Sequence, residues 1–229
     1  MKIDEFDQQS FAELEPSMRG PIAGAMLMHD AVSVQDPADL AGAYGDMFLS
    51  RGGRHIVGDA RTLAESGEGW VVQTGEGPLH AREVVIALGP WSDDVFRPLG
   101  YSMPLGVKRG YHLHFAAQGN ARLGRPIYDA DGGFVLAPMR RGVRLTTGAE
   151  FALRDAPPTP VQIDKTRAIA RGIFPLGEPV EPQPWLGRRP CLPDMLPVIG
   201  KGGKHRGLWF DFGHQHLGLT LGPASGRLL

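Results

Sequence analysis

The closing segment limits what this chain can become more than any other part. Leu208-Trp209-Phe210-Asp211-Phe212 is a short apolar run that passes through Gly213 into His214-Gln215-His216-Leu217-Gly218, then on to Gly222, Pro223 and Gly226. That order reads as a strand, a glycine turn and a helix opening near Gly213 with glycine along its first turns. A helix entered this way leaves its leading N–H groups without intrahelical acceptors. It also presents the positive end of its dipole, so it suits an electron-rich ligand. Gly218, Gly222 and Gly226 recur every fourth residue and share a face. With no Cβ there, another backbone or a flat cofactor can come close. Spacing alone leaves tight packing on a sheet and cofactor binding equally open.

Composition narrows the classes of function. At 229 residues the chain can form one domain or two small ones. Its net charge of −1 gives no nucleic-acid footprint and no polybasic membrane patch. Cys191 is the single cysteine, so an internal disulfide is impossible, and the residue reads first as a small buried hydrophobe. No apolar run is long enough to span a bilayer. The start, Met1 to Asp7, lacks the apolar core and cleavage site of a signal peptide, which fits a cytoplasmic chain.

The 32 glycines and 20 prolines cut the chain into short elements. The first thirty residues read as a loose lead-in. Asp36-Pro37 reads as a cap and first position of a helix running to Leu49 and ending at Gly52-Gly53. Strand-like runs follow at His55–Val57 and Gly69–Thr74, joined by a turn at Ser66-Gly67-Glu68, with a hairpin around Gly75–Pro78. Val84-Val85-Ile86-Ala87-Leu88 suits a strand buried on both faces of a parallel sheet, followed by a turn and a helix to about Gly100. Val107–Phe115, Ile127–Asp129, Gly133–Met139 and Gly142–Gly148 alternate in period two and read as one antiparallel meander. Pro157–Pro160 is a rigid linker, a helix covers Val161–Ile173, and Val180–Leu192 is extended.

Three motifs, in order, resemble the D-amino-acid oxidase-like family of FAD-dependent oxidoreductases, its D-amino-acid dehydrogenase branch most of all. Val84–Ser92 resembles the last strand and turn of that family's FAD domain. Gly187-Arg188-Arg189-Pro190 through Asp194, with Leu196–Gly200, resembles its arginine–proline segment and "PDGLPVIG" turn. Gly213-His214 through Gly218 to Gly222-Pro223 resembles its flavin-facing "GHxxxG" helix start. The resemblance covers roughly residues 10–229.

The resemblance implies a mixed α/β fold: the C-terminal part of a Rossmann-like FAD-binding domain interleaved with an antiparallel-sheet substrate domain. Residues 1–50 would be a lead-in and a substrate-domain helix, 51–100 an FAD-domain segment, 101–185 the substrate domain, and 186–229 the closing FAD-domain segment. It implies FAD as cofactor, held by Gly89, Trp91, Gly213, His214, Gln215, His216, Leu217 and Gly218. The implied substrate is a small amine or amino acid, oxidised to an imine by hydride transfer. Arg189 inherits the carboxylate-binding role, for which a planar bidentate donor is suited. Arg188 stands where the family has an aliphatic residue. Tyr111, His112 and Tyr128 are implied to line the substrate side. Peripheral association with the inner membrane is compatible with that branch.

The family's strand–GxGxxG–helix grip on the nucleotide has no match here. Gly20–Gly24 follows no strand, and Gly200–Lys204 reads as a solvated turn. The resemblance therefore implies a missing N-terminal half or a partner subunit. Two other readings stand beside it. His112 with His114, and His214 with His216, are pairs two residues apart that a metal could use. A non-catalytic remnant would use Arg189 and the tyrosines only as structural residues.

Overall fold

The computed structural model describes residues 2–67 and 69–229. The elements are β1 (Ile3–Phe6), α1 (Gln8–Leu14), β2 (Ala25–Met28), α2 (Pro37–Ser50), β3 (Gly58–Ser66), β4 (Gly69–Thr74), β5 (Gly77–Ala81) and β6 (Val84–Ile86), then a 3-10 turn (Gly89–Trp91) and α3 (Asp93–Phe96). They continue with β7 (Gly106–Ala117), β8 (Ile127–Asp129), β9 (Phe134–Met139), β10 (Gly142–Thr146), β11 (Glu150–Phe151), α4 (Val161–Ile173), β12 (Leu176–Pro179), β13 (Trp185–Cys191), β14 (Val198–Lys201), β15 (Leu208–Phe212) and α5 (Gly218–Leu228). The mixed α/β class with antiparallel sheets is as expected. None of the described helices is long and apolar enough to cross a membrane.

The chain divides into two compact units. The first comprises Met1–Leu40, Gly110–Glu150 and Pro157–Gly187; the second Ala41–Arg109, Phe151–Ala156 and Arg188–Leu229.

The first unit is built on a sheet of order β11-β7-β10-β9-β8, with β12 and β13 also pairing with β7. Only β8, β9 and β10 form a meander. β7 lies beyond β10 rather than beside β8, which corrects the single meander read from the sequence. Register explains the order: Leu113 faces Leu145 and Phe115 faces Val143. All four enter one core with Tyr111, Phe134, Leu136, Ile163, Ala170 and Phe174. α4 contributes Ile163, Thr166 and Ala170 at helical spacing, so one stripe is buried. The expected loose lead-in is in fact ordered. β1 and β2 pair antiparallel, and Asp7 caps α1 through a reciprocal bond pair with Ser10.

The second unit holds the sheets β3-β4-β5 and β14-β15-β6. Its core gathers Trp70, Ile86, Val95, Phe96, Leu208, Phe210 and Phe212. Phe96 stacks on Phe212 at 5.4 Å. The first of these sheets begins at Gly58, not in the His55–Val57 run, and Glu68 of the expected turn lies outside the described residues. β6 and β15 are parallel, with Ile86 opposite Phe210. β6 ends its sheet, and no other described strand pairs with it. Val85 is consequently 44% exposed, so this strand is not buried on both faces as its composition suggested. α2 is capped by Asp36 as expected, but it buries none of its residues.

Candidate functional site

In the second unit, two glycine turns lie at one end of a parallel strand pair. Each begins three residues beyond the Ile86–Phe210 pair: Gly89 after β6 and Gly213 after β15. Both glycines have positive φ, +56° and +89°, which favours a residue without Cβ. The carboxyl ends of parallel strands are where open α/β sheets hold ligands. Pro190 links the turns. Its carbonyl accepts the Gln215 N–H at 2.9 Å, and its ring lies 3.9 Å from where a Cβ on Gly89 would stand. Leu88 and Trp91 also line a cavity of about 320 Å³ with Ala60, Arg61, Asp94 and Val95.

The closing helix starts later than the sequence suggested. α5 begins at Gly218, behind Leu217, and Gly213–His216 form a loop. The reason is local: Gln215 adopts φ +58°, which no α-helix tolerates. Gln215 and Leu217 spend their N–H groups on Pro190 and His214 carbonyls, so neither amide can serve a ligand. Those two are removed from the expected set of backbone donors. The amides of Gly213, His214, His216 and Gly218 have no protein acceptor among the described residues. Beside Gly222 and Gly226 no described atom comes within 4 Å of a built Cβ, so the glycine face is open rather than packed on a sheet. His214 is tied down by Ser225 Oγ at 2.8 Å and Asp211 at 3.4 Å, whereas His216 is exposed.

Strain gathers here. Met195 (φ +65°) and Gln215 are the described non-glycine residues with positive φ, and Gln215 Nε2 donates to the Met195 carbonyl at 2.6 Å. Such outliers persist where surrounding structure over-determines them. Met195 occupies the position at which the "PDGLPVIG" pattern has glycine. Arg189 and Arg188 leave β13 on opposite sides. Arg188 Nε donates to the Arg154 carbonyl at 2.8 Å; Arg154 in turn binds Pro90 O, Asp93 and Asp94 next to the Gly89 turn. Arg189 is half-buried, and desolvation lowers its guanidinium pKa.

In the first unit, cross-strand register places His112, Thr146, Val135 and Tyr128 in one row. They occupy the face opposite the core. Tyr111 lies on the other face: it is 1% exposed, its hydroxyl accepts the Thr159 N–H and donates to Glu150. Expecting both Tyr111 and His112 on a substrate side conflicts with the two-residue period of a strand, and Tyr111 is a core residue. Tyr128 sits on the edge strand and is 69% exposed. His112 and His114 share a face, but both ring nitrogens of His114 are engaged. Nδ1 donates to Glu181 at 2.6 Å, and Nε2 accepts from Arg144 Nε at 3.1 Å. Among the described residues no three His, Cys, Asp or Glu side chains converge as a metal site.

The family model described as FAD dependent oxidoreductase matches residues 3–229. The chain belongs to that family. Among curated members of the FAD-dependent oxidoreductases, glycine oxidase of Pseudomonas putida is 34% identical over 168 residues, which are 72% of this chain and 45% of that protein. D-amino acid dehydrogenase of Paramagnetospirillum magneticum is 31% identical across 94% of this chain and 52% of its own length. Among solved structures, glycine oxidase from Geobacillus kaustophilus superposes with a TM-score of 0.81 at 25% identity, covering 99% of this chain and 61% of that one. The chain spans about half the length of the curated relatives it matches.

A flavin fits what the second unit presents. Unpartnered amides at a helix start, two glycine turns side by side and an open glycine face are features an isoalloxazine can use. Sequence reasoning missed Trp185, Arg144 and Glu181. Glu181 carries no motif, and the position of Arg144 depends on which strand neighbours β10.

Proposed function

We propose that this chain supplies the flavin-ring and substrate-binding part of an FAD-dependent oxidoreductase. Its reaction converts an amino acid, or a secondary amine bearing a carboxylate, to the imine. The observation that carries this reading is the set of unpartnered amides at Gly213, His214, His216 and Gly218 beside the Gly89 turn. FAD, when bound, supplies a two-electron acceptor that becomes more negative on reduction. Those amides and the α5 dipole would hold that charge, with Gly89 and Trp91 bordering the ring. Arg189 binds the substrate carboxylate through paired N–H donors, strengthened by its desolvated setting. The substrate gives up a hydride from its α-carbon and a proton from nitrogen as the C=N bond forms. Water then hydrolyses the imine to a keto acid, releasing ammonia from an amino acid or a primary amine from a secondary-amine substrate. The neutral amine is the reacting form, so no side-chain base is assigned.

We further propose that a segment carrying a strand–GxGxxG–helix unit, on the same polypeptide or another, pairs in parallel with β6 and grips the nucleotide. The unpaired edge of β6 and the exposed Val85 support this. The test is co-expression with the N-terminal strand–helix segment of the Pseudomonas putida glycine oxidase. A purified complex should show a flavin spectrum that bleaches anaerobically with glycine or a D-amino acid and should release a keto acid. A stable complex that takes up no FAD would overturn the reading.

A further inference from the structure

Arg144 has an unusual partner for a half-buried arginine. The nearby carboxylate, Glu181, is committed elsewhere: it accepts the His114 backbone N–H at 3.1 Å and ring Nδ1–H at 2.6 Å, and pairs with Arg141 at 3.3 Å. Arg144 receives only the neutral acceptor nitrogen of His114, through Nε. Its two terminal nitrogens make no hydrogen bond or ion pair with described residues. Asp36 acts on it through space, but the Asp36 carboxylate caps α2 and forms no ion pair with it. The result is a desolvated cationic fork, aimed by the His114–Glu181 pair and left with its bidentate edge open. In a typical interior such a fork is closed by a carboxylate.

The neighbouring groups complete a surface. Thr146 lies two residues along β10 on the same face, directly opposite His112. His112 stacks on Trp185, with ring centroids 4.7 Å apart and planes 25° from parallel. Burial pushes the His112 pKa down to about 4, so the imidazole is neutral near pH 7 and does not compete with Arg144 for an anion. Trp185 is 60% exposed although one of its ring faces stacks on His112. A Cβ on Gly187 would stand only 2.5 Å from its ring. An exposed indole ordered this way is a platform for a flat or apolar group. Arg144 is the diagonal cross-strand neighbour of His112, a separation of about 7–8 Å between backbones.

We propose that Arg144, Thr146, His112 and Trp185 form a binding site for an organic acid carrying an aromatic or bulky apolar group: the carboxylate on Arg144 and Thr146, the ring on Trp185. This does not depend on the flavin reading, because all four residues lie in the first unit and none is assigned to hold the cofactor. The test uses 3-phenylpropionate and its uncharged amide in calorimetric titrations of the purified chain. The acid should bind at least 10-fold more tightly than the amide. Arg144→Gln should reduce acid binding to the level of the amide. Trp185→Leu, a change at an exposed position that leaves folding intact, should weaken both ligands about 5-fold. Arg189→Gln should leave both unchanged. Circular dichroism verifies the fold of Arg144→Gln, and Arg144→Lys should retain part of the affinity by keeping the charge. Equal binding of acid and amide, absence of binding, or binding lost in Arg189→Gln but kept in Arg144→Gln would each sink the proposal.

Discussion

Arg188 and Arg189 are adjacent and do different things. Arg188 spends its Nε on the Arg154 carbonyl, part of a clamp that reaches Pro90, Asp93 and Asp94. Its replacement by alanine should cost about 1 kcal/mol of stability and leave KM nearly unchanged, as expected for one net hydrogen bond. Arg189→Ala should instead raise KM for carboxylated substrates by roughly 30- to 1000-fold, the equivalent of about 2–4 kcal/mol of charge-assisted bonding. Steady-state kinetics of the two variants of the holoenzyme, with urea denaturation alongside, separates the roles; equal KM values would remove Arg189 from the substrate. Met195 offers a second residue-level check. A side chain at φ +65° is strained by about 1 kcal/mol, so Met195→Gly should not destabilise the chain despite the entropy that glycine adds to the unfolded state. These single residues were unevenly legible. Arg189-Pro190 and Gly213 were readable because their motif carries them. The strain at Gln215 was not, because nothing in its type demands a left-handed backbone.

A strand transmits its sequence through alternation, and β7 shows what that leaves out. Tyr111 and His112 are neighbours in sequence and lie on opposite faces, so the pattern identified the strand without saying which residue faces water. The boundary of α5 was misplaced by five residues for a related reason: helical glycine spacing continues upstream through a segment that Gln215 prevents from being helical. Two predictions belong to elements. The unfolded His112 imidazole titrates near 6.5 and the folded one near 4, so unfolding takes up a proton between these values. Stability should be full above about pH 7 and fall as pH drops from 6.5 toward 4, and His112→Phe should flatten that slope in thermal melts. Gly207, at φ +71°, leads into β15, and a Cβ there would stand 2.4 Å from the Arg82 carbonyl oxygen. Gly207→Ala should therefore cost about 2–4 kcal/mol in denaturant titrations through strain and overlap.

The molecule as a whole combines two cores, each recoverable in outline from apolar periodicity, with a strand order that periodicity does not encode. That β7 neighbours β10 follows from Leu113 and Phe115 being buried against Leu145 and Val143, a long-range choice. The unpaired edge of β6, with Val85 exposed, presents free backbone donors and acceptors. The isolated chain should self-associate in sedimentation experiments, and Val85→Lys should shift it toward monomer; unchanged sedimentation would show that this edge is already protected. The same parallel pair also bears on biogenesis. Val84 meets Leu208 about 120 residues later, so at synthesis rates of about 5–20 residues per second β6 waits some 6–24 s for β15 to be made. During that interval its apolar side chains are a natural target for a holdase chaperone, and the last-made strand sets when the second core can close.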